Sequence, residues 1–303
     1  MANLQPNKNL NEKQKLMNTT HANNYVLTLS CPDRIGIVHG VSGLLLQHQG
    51  NIIDAQQFGD EQSNQFFLRI HFALASALNI EPLRHSFVNL SEAFDMTWKI
   101  YDLSVKSKVL ILVSKQGHCL NNLLFRVRNQ QLHADMVGVV SNHRDFEDLV
   151  ASYGIPFYYL PVTHDTKAKQ EADILTLVEE SETDLVVLAR YMQILSPSLC
   201  QALAGRAINI HHSFLPSFKG ARPYYQAHAK GVKIIGATAH YVTPDLDEGP
   251  IIEQDIERVD HSMSAHDLTE VGSDVELRVL ARAVGNHVER RILLNGNKTV
   301  VFK

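Results

Sequence analysis

Three runs of apolar residues, Val109–Val113, Met136–Val140 and Leu185–Ala189, alternate with helix-patterned segments at Leu120–Arg128, Asp145–Tyr153 and Lys169–Glu180. A strand without polar alternation is buried on both faces, and such strands separated by helices build a mostly parallel sheet flanked by helices. The chain upstream follows another rhythm. Tyr25–Cys31 and Asn51–Phe58 read as strands, and Phe66, Leu68, Ile70 and Phe72 alternate as in a strand with one buried face. Ile35–His48 carries apolar residues at 35, 38, 41, 44 and 45, a helical spacing closed by Gly50 as C-terminal cap. Leu83, Phe87, Leu90 and Phe94 line one helix face, and Met96, Trp98 and Ile100 alternate again. The order is βαββαβ, a ferredoxin-like unit. The expected fold class is therefore α/β. A ferredoxin-like domain over 25–103 precedes a Rossmann-like domain over 108–303, which closes with a helix at Ser264–Leu294 and a strand at Thr299–Phe302. The polar segment from Met1 to about Asn24 lacks periodicity and reads as a flexible tail.

The 303 residues fit two domains at roughly 150 residues each. Lys and Arg number 28 against 32 Asp and Glu, a formal charge of −4, which excludes a strongly basic nucleic-acid binder. No apolar run approaches the ~20 residues needed to cross a bilayer, so no membrane partner is expected. Nor does an apolar run follow the N-terminus as in a secretory signal. Cys31, Cys119 and Cys200 are scattered, with no CxxC pair, and do not suggest a disulfide framework. A cytoplasmic protein is expected.

Chemistry concentrates in the second domain. In Ala207–Pro216, Asn209 and His211 alternate with Ile208 and Ile210, so both face one side of a strand end. An amide and an imidazolium side by side offer two donors to one developing oxyanion; a cap or loop anchor is the alternative. His240–Pro250 carries Asp245, Asp247 and Glu248 between two prolines, a rigid turn. One carboxylate set against His211 would raise its basicity and take a proton from water. Calcium-type surface chemistry and simple turn acids stay open, because spacing does not choose. Met192, Gln193, Ile194 and Leu195 follow a buried strand and can line a pocket for a flat heterocycle or pack as ordinary core. Zinc at His211, His212, His240 and Asp247 lacks helical ligand spacing, and strand alternation points His211 and His212 to opposite faces, so no metal is expected. Cys119, beside His118 at a helix start, has the setting of an activated thiol, but packing is favoured. In the first domain, Asp33 and Gly36 sit where strand turns into helix. They form a tight connection capped by Asp33, or an anion site at the helix N-terminus.

Two resemblances extend this reading. Asp33-Arg34-Ile35-Gly36-Ile37-Val38, followed by Gly50-Asn51-Ile52, is similar to the ACT family over residues 25 to about 103. It implies pairing into homo-oligomers, dimers or tetramers. It also implies an amino-acid effector near Asp33, Gly36 and Ile37, with glycine or methionine as candidates. Asn209-x-His211 and Leu246-Asp247-x-Gly249-Pro250, with Asp247 lying 36 residues after His211, resemble the formyltetrahydrofolate-using transferases over 108–303. There Asn209, His211 and Asp247 would be the catalytic trio, and Met192–Leu195 with Thr243–Asp247 the pterin-binding backbone. His212 and His240 would stand beside the substrate.

The departures matter. His212 stands where the transferases have Pro, Gly117-His118-Cys119-Leu120 replaces their Gly-Ser-Asn phosphate loop, and Gln193 replaces an Arg. With the leading ACT-like unit, and with Pro161-Val162-Thr163, Lys169-Gln170-Glu171 and Gly231–Thr238, they resemble the formyltetrahydrofolate deformylases. That resemblance implies hydrolysis of 10-formyltetrahydrofolate to tetrahydrofolate and formate, which supplies formate to purine synthesis and balances the one-carbon folate pool. The folate is the substrate, and no cofactor is required. A formyltransferase to an amine and a non-catalytic amino-acid sensor are the alternatives.

Overall fold

The computed structural model describes residues 22–215 and 223–303. It divides into two units that meet at Val105 and Lys106. The expected tail falls largely on 1–21, outside the described residues, but Ala22–Asn24 are already strand.

The first unit runs β1 (Ala22–Pro32), α1 (Ile37–Gln47), β2 (Asn51–Asp60), β3 (Gln65–Ala75), α2 (Glu81–Phe94) and β4 (Thr97–Asp102). Its sheet is antiparallel in the order β2-β3-β1-β4, the order expected of βαββαβ. Leu27, Leu29, Ile70 and Phe72 from the sheet pack on Leu83 and Phe87 of α2 and on Ile37, Val41 and Leu45 of α1. The α1 stripe differs from the expected one, since Ile35 and Val38 are exposed. The helix starts only at Ile37, after Gly36 turns left-handed at φ 99, so Ile35 lies outside it and the buried positions fall on 37, 41 and 45. Gly50 is not the left-handed residue that ends α1. Gln49 takes that conformation, and the Gly50 N–H returns to the Leu45 carbonyl at 2.8 Å. The second face of β3 is also covered. Phe67 stacks on Phe58, and Arg69 pairs with Asp54 at 3.4 Å.

The second unit has a seven-stranded sheet in the order β11-β10-β9-β8-β5-β6-β7. Its strands are β5 (Ser107–Val113), β6 (Ala134–Ser141), β7 (Phe157–Tyr159), β8 (Leu185–Leu188), β9 (Ala207–His211), β10 (Ile234–Tyr241) and β11 (Ile251–Arg258). Strands β7 through β9 are parallel, while β10 and β11 join antiparallel. The helices are α3 (His118–Arg128), α4 (Glu147–Ser152), α5 (Lys167–Glu180), α6 (Pro197–Ala202), α7 (Pro223–Ala229) and α8 (Ala265–Val288). The continuous apolar strands are explained by two cores. Val109, Ile111 and Val113 join Leu123 of α3 and Val279 of α8 on one face. Leu110 and Leu112 join Ile174 of α5 and Leu199 of α6 on the other.

Helix α8 opens on a capping box of Ser264 and Asp267. It stops at Val288, six residues before the expected end, because Arg290 turns left-handed and β12 (Ile292–Asn295) folds back on β13 (Lys298–Val301). No helix among the described residues is long and apolar enough to cross a membrane.

From β5 the chain moves outward through β6 and β7 on one side, then returns to place β8 on the other. Sheets of this type hold ligands in the crevice where strand order reverses. On the β8 side, the loop after β8, the end of β9 and the turn after β10 line a cavity of about 390 Å³.

Candidate active site

Strand pairing assembles the site. Asn209 on β9 lies directly opposite His240 on β10, and His211 opposite Thr238. Alternation puts Asn209 and His211 on one face of β9, and the register adds His240 to that face. The Asn209 amide Nδ2 lies 3.3 Å from His240 Nε2. The His240 Nδ1–H donates to its neighbour's carbonyl, Tyr241 O, at 2.9 Å, so in the neutral ring Nε2 is the acceptor for that amide.

The turn after β10 delivers the carboxylate. Its closure is tight: Tyr241 N–H donates to Pro250 O at 2.9 Å, and a Cβ on Gly249 would stand 1.7 Å from Tyr241 O, so only glycine fits. Of the three acids in the turn, Asp245 and Glu248 are exposed and Asp247 turns inward. Asp247 adopts φ 59, a left-handed conformation that Asp tolerates better than most residues. Its Oδ1 lies 3.3 Å from His211 Nδ1 and 3.8 Å from His240 Nε2. Burial raises the carboxyl pKa, but the two histidine rings beside it, His211 foremost, outweigh burial and hold the group well below the usual carboxylate range. Asp247 is therefore ionised at neutral pH and set to orient the His211 ring. The far nitrogen of that ring, Nε2, is buried with no partner among the described residues.

One cavity is lined by Asn209, His211, His212, His240, Thr243 and Asp247 together with Met192, Gln193, Ile194 and Leu195. All the site residues expected in the second unit thus line one space. Part of its wall is apolar: Met192 and Ile194 are 57% and 62% exposed, Leu246 is exposed, and Leu195 is buried. The loop is anchored from below by the Met192 N–H on Ser114 Oγ at 3.0 Å, and Ser114 donates to Asn142 Oδ1 at 2.8 Å. Thr243 donates to Asp245 O at 3.0 Å, which stiffens the turn.

One expectation is corrected here. His211 and His212 do not point to opposite faces: their rings stack, with centroids 4.8 Å apart. His212 lies one residue past the end of β9, where alternation no longer applies. Cys119 is buried in the core, and burial together with the nearby Glu276 raises its thiol pKa well above the ordinary value, the opposite of an activated nucleophile. In the first unit Asp33 and Gly36 are exposed, while the Ile37 side chain is spent on the core and leaves only its backbone for a ligand. Asp33 does not cap α1. Gly36 holds the N-cap position without a side-chain bond. Pro216 lies outside the described residues.

Sequence reading missed a buried polar layer behind the histidines. Arg190 donates from Nε to Gln116 Oε1 at 2.7 Å and lies 3.4 Å from Glu276 Oε2. Glu276 also receives His118 Nε2–H at 2.8 Å and the Tyr224 hydroxyl at 2.6 Å. The available signal was a glutamate inside the apolar stripe of α8, between Val275 and Val279. His118, Cys119 and Glu276 are also close enough together to converge on a cation, but Arg190 already supplies positive charge to that carboxylate. His211, His212, His240 and Asp247 are not among the groups whose ligand atoms converge in this way.

Comparison with known proteins shows what the chain is similar to. Residues 107–284 match the formyl transferase family and residues 25–80 the ACT domain family. The formyltetrahydrofolate deformylase of Corynebacterium sp. (strain P-1) is 50% identical over 280 residues, covering 92% of this chain and 98% of that protein. That of Bacillus subtilis (strain 168) is 48% identical, covering 91% of this chain and 93% of that one. The crystal structure of formyltetrahydrofolate deformylase from Burkholderia mallei ATCC 23344 superposes with a TM-score of 0.90 at 55% identity, over 93% of this chain and all of the other.

Proposed function

The chain belongs to the formyltetrahydrofolate deformylases, and from that premise we propose that it hydrolyses 10-formyltetrahydrofolate to tetrahydrofolate and formate through Asp247, His211 and Asn209. The observation that carries the assignment of residues is the inward turn of Asp247 onto His211, beside Asn209 and in a cavity of about 390 Å³ with an apolar wall. A cavity of that size suits a folate head group.

Water attacks the formyl carbon and Asp247 takes its proton. The carbonyl oxygen becomes an oxyanion held by the Asn209 amide and the His211 imidazolium. Collapse breaks the bond to the folate nitrogen, which leaves with the His211 proton. As His211 gives up its charge, the interaction that depresses the Asp247 pKa weakens, so the carboxylate can keep the water's proton until the site resets. Met192–Leu195 and Thr243 would hold the heterocycle, with His212 and His240 bordering the reacting group. No cofactor beyond the substrate enters this scheme.

The proposal extends to the first unit: an amino acid, glycine or methionine, binds near Asp33 and Gly36 and regulates a homodimer or tetramer. The match to the ACT domain family supports it. A cytoplasmic setting accords with three free, buried cysteines.

The test is product analysis. Purified protein given 10-formyltetrahydrofolate and no amine is expected to release formate in step with tetrahydrofolate. Formyl transfer that requires an added amine would assign the same trio to a transferase instead.

A further inference from the structure

The two stacked imidazoles at the end of β9 have opposite surroundings. His211 has a carboxylate at Nδ1, whereas His212 has a guanidinium, with Arg190 Nη1 2.6 Å from its Nδ1. A guanidinium only donates, so His212 Nδ1 must accept, and the proton of the neutral ring sits on Nε2. That Nε2 is buried and without a partner among the described residues, although the ring lines the site cavity. A buried N–H in a polar site calls for an oxygen, from water or substrate.

Arg190 is locked in place. It is 7% exposed, has a left-handed backbone at φ 63, and is held by Gln116 and by Glu276, itself 1% exposed. Tyr224 and His118 fix Glu276 in turn. Gly272, one turn earlier on α8, makes room for this arrangement, since a Cβ there would come within 2.2 Å of the Tyr224 ring.

We infer that Arg190 and Glu276 are positioning residues: they hold His212 as the neutral tautomer protonated on Nε2, and that N–H holds the oxygen of the attacking water. The inference rests on the hydrolytic reading above. The charged or titratable groups around His212 are Arg190 after β8, His211 on β9, Tyr224 on α7, Glu276 on α8 and Asp247 in the turn after β10. Burial, then Arg190 and His211, push its pKa down to about 4 against the opposing pull of Glu276 and Asp247. His212 is therefore the ring of the stacked pair that stays neutral.

The test is nitrogen NMR on the full-length enzyme with 15N-labelled histidine, the His212 signals being assigned by their loss in His212→Gln. In the wild type the expected ring has a bare Nδ1 and a protonated Nε2, unchanged from about pH 5.5 to 8, a range in which an ordinary histidine titrates. In Arg190→Met the same ring is expected to titrate inside that range, with kcat falling on the acid side and KM for the folate little changed. An Nδ1-protonated ring in the wild type, or identical titration in both proteins, overturns the inference. Should Arg190→Met fail to fold, two variants of His212 decide. Gln keeps an N–H near the Nε2 position and is expected to stay within about tenfold of wild type, whereas Phe loses about 10²-fold, as for one lost donor. Equal rates in the two overturn it. Absence of formate release by the wild type would count against the hydrolytic reading, while the tautomer result would still judge this one.

Discussion

Asn209 shares the His211 face of β9, and the register against β10 adds its contact with His240. Replacing Asn209 by Ala would, under the proposed mechanism, remove one oxyanion donor, and it takes the amide away from His240 Nε2. The expected outcome is a fall in kcat of about 10²–10³-fold with an unchanged melting temperature. A melting temperature that falls along with activity would mean that the residue serves folding instead. Spacing alone left Asp247 as one of three acids, and the family resemblance singled it out, because the physical choice among them depends on a turn closed by Gly249 against Tyr241 O. Arg190 and Glu276 escaped notice for a physical reason. Each is a charged residue in an apolar segment, tolerated because the other, together with His118, Tyr224 and Gln116, neutralises and hydrogen-bonds it. No local pattern records a partner that lies far along the chain.

At the scale of elements, long apolar or alternating segments were legible and short polar ones were not. Strand β7 has three residues, and β11 is largely polar, so neither carried a clear period. The end of α8 was misplaced because Ile292–Leu294 continue an apolar pattern that in fact belongs to a hairpin. Packing of α8 on β10 carries its own consequence. His287 is half-buried there, with Tyr241 Oη 2.8 Å from its Nδ1. Burial, then Arg290, lower its pKa from 6.5 to about 4, with Asp184 opposing. Between those values the unfolded chain binds a proton that the folded protein refuses, so stability is complete above pH 6.5 and is lost as pH falls toward 4. The expected loss from this one group between pH 7 and pH 5 is about 2 kcal/mol. Chemical denaturation of wild type and His287→Gln at both pH values measures it: the variant is expected to show the smaller acid loss. Parallel losses in the two proteins would remove His287 as the cause.

For the whole molecule, the chain divides at Val105 and Lys106, near the change of rhythm in its apolar pattern, and each unit keeps its own core. Regulation was not legible to the same degree. Asp33 and Gly36 are exposed at the start of α1, but side-chain chemistry there does not name a ligand. Calorimetric titration of the full chain with glycine and with methionine is expected to give saturable binding to one of them, lost in Asp33→Ala. Flat titrations with both would remove the effector proposal and leave the hydrolytic site untouched.

That site rests on one carboxylate turned inward onto two histidines. The most direct test compares formate release from 10-formyltetrahydrofolate, without amine, by the wild type and by Asp247→Asn, which keeps the shape and removes the charge. The expected result is a loss of at least about 10³-fold in the variant, with circular dichroism and melting temperature unchanged. Release within tenfold of wild type by a folded variant would contradict the assignment of Asp247 and the mechanism built on it.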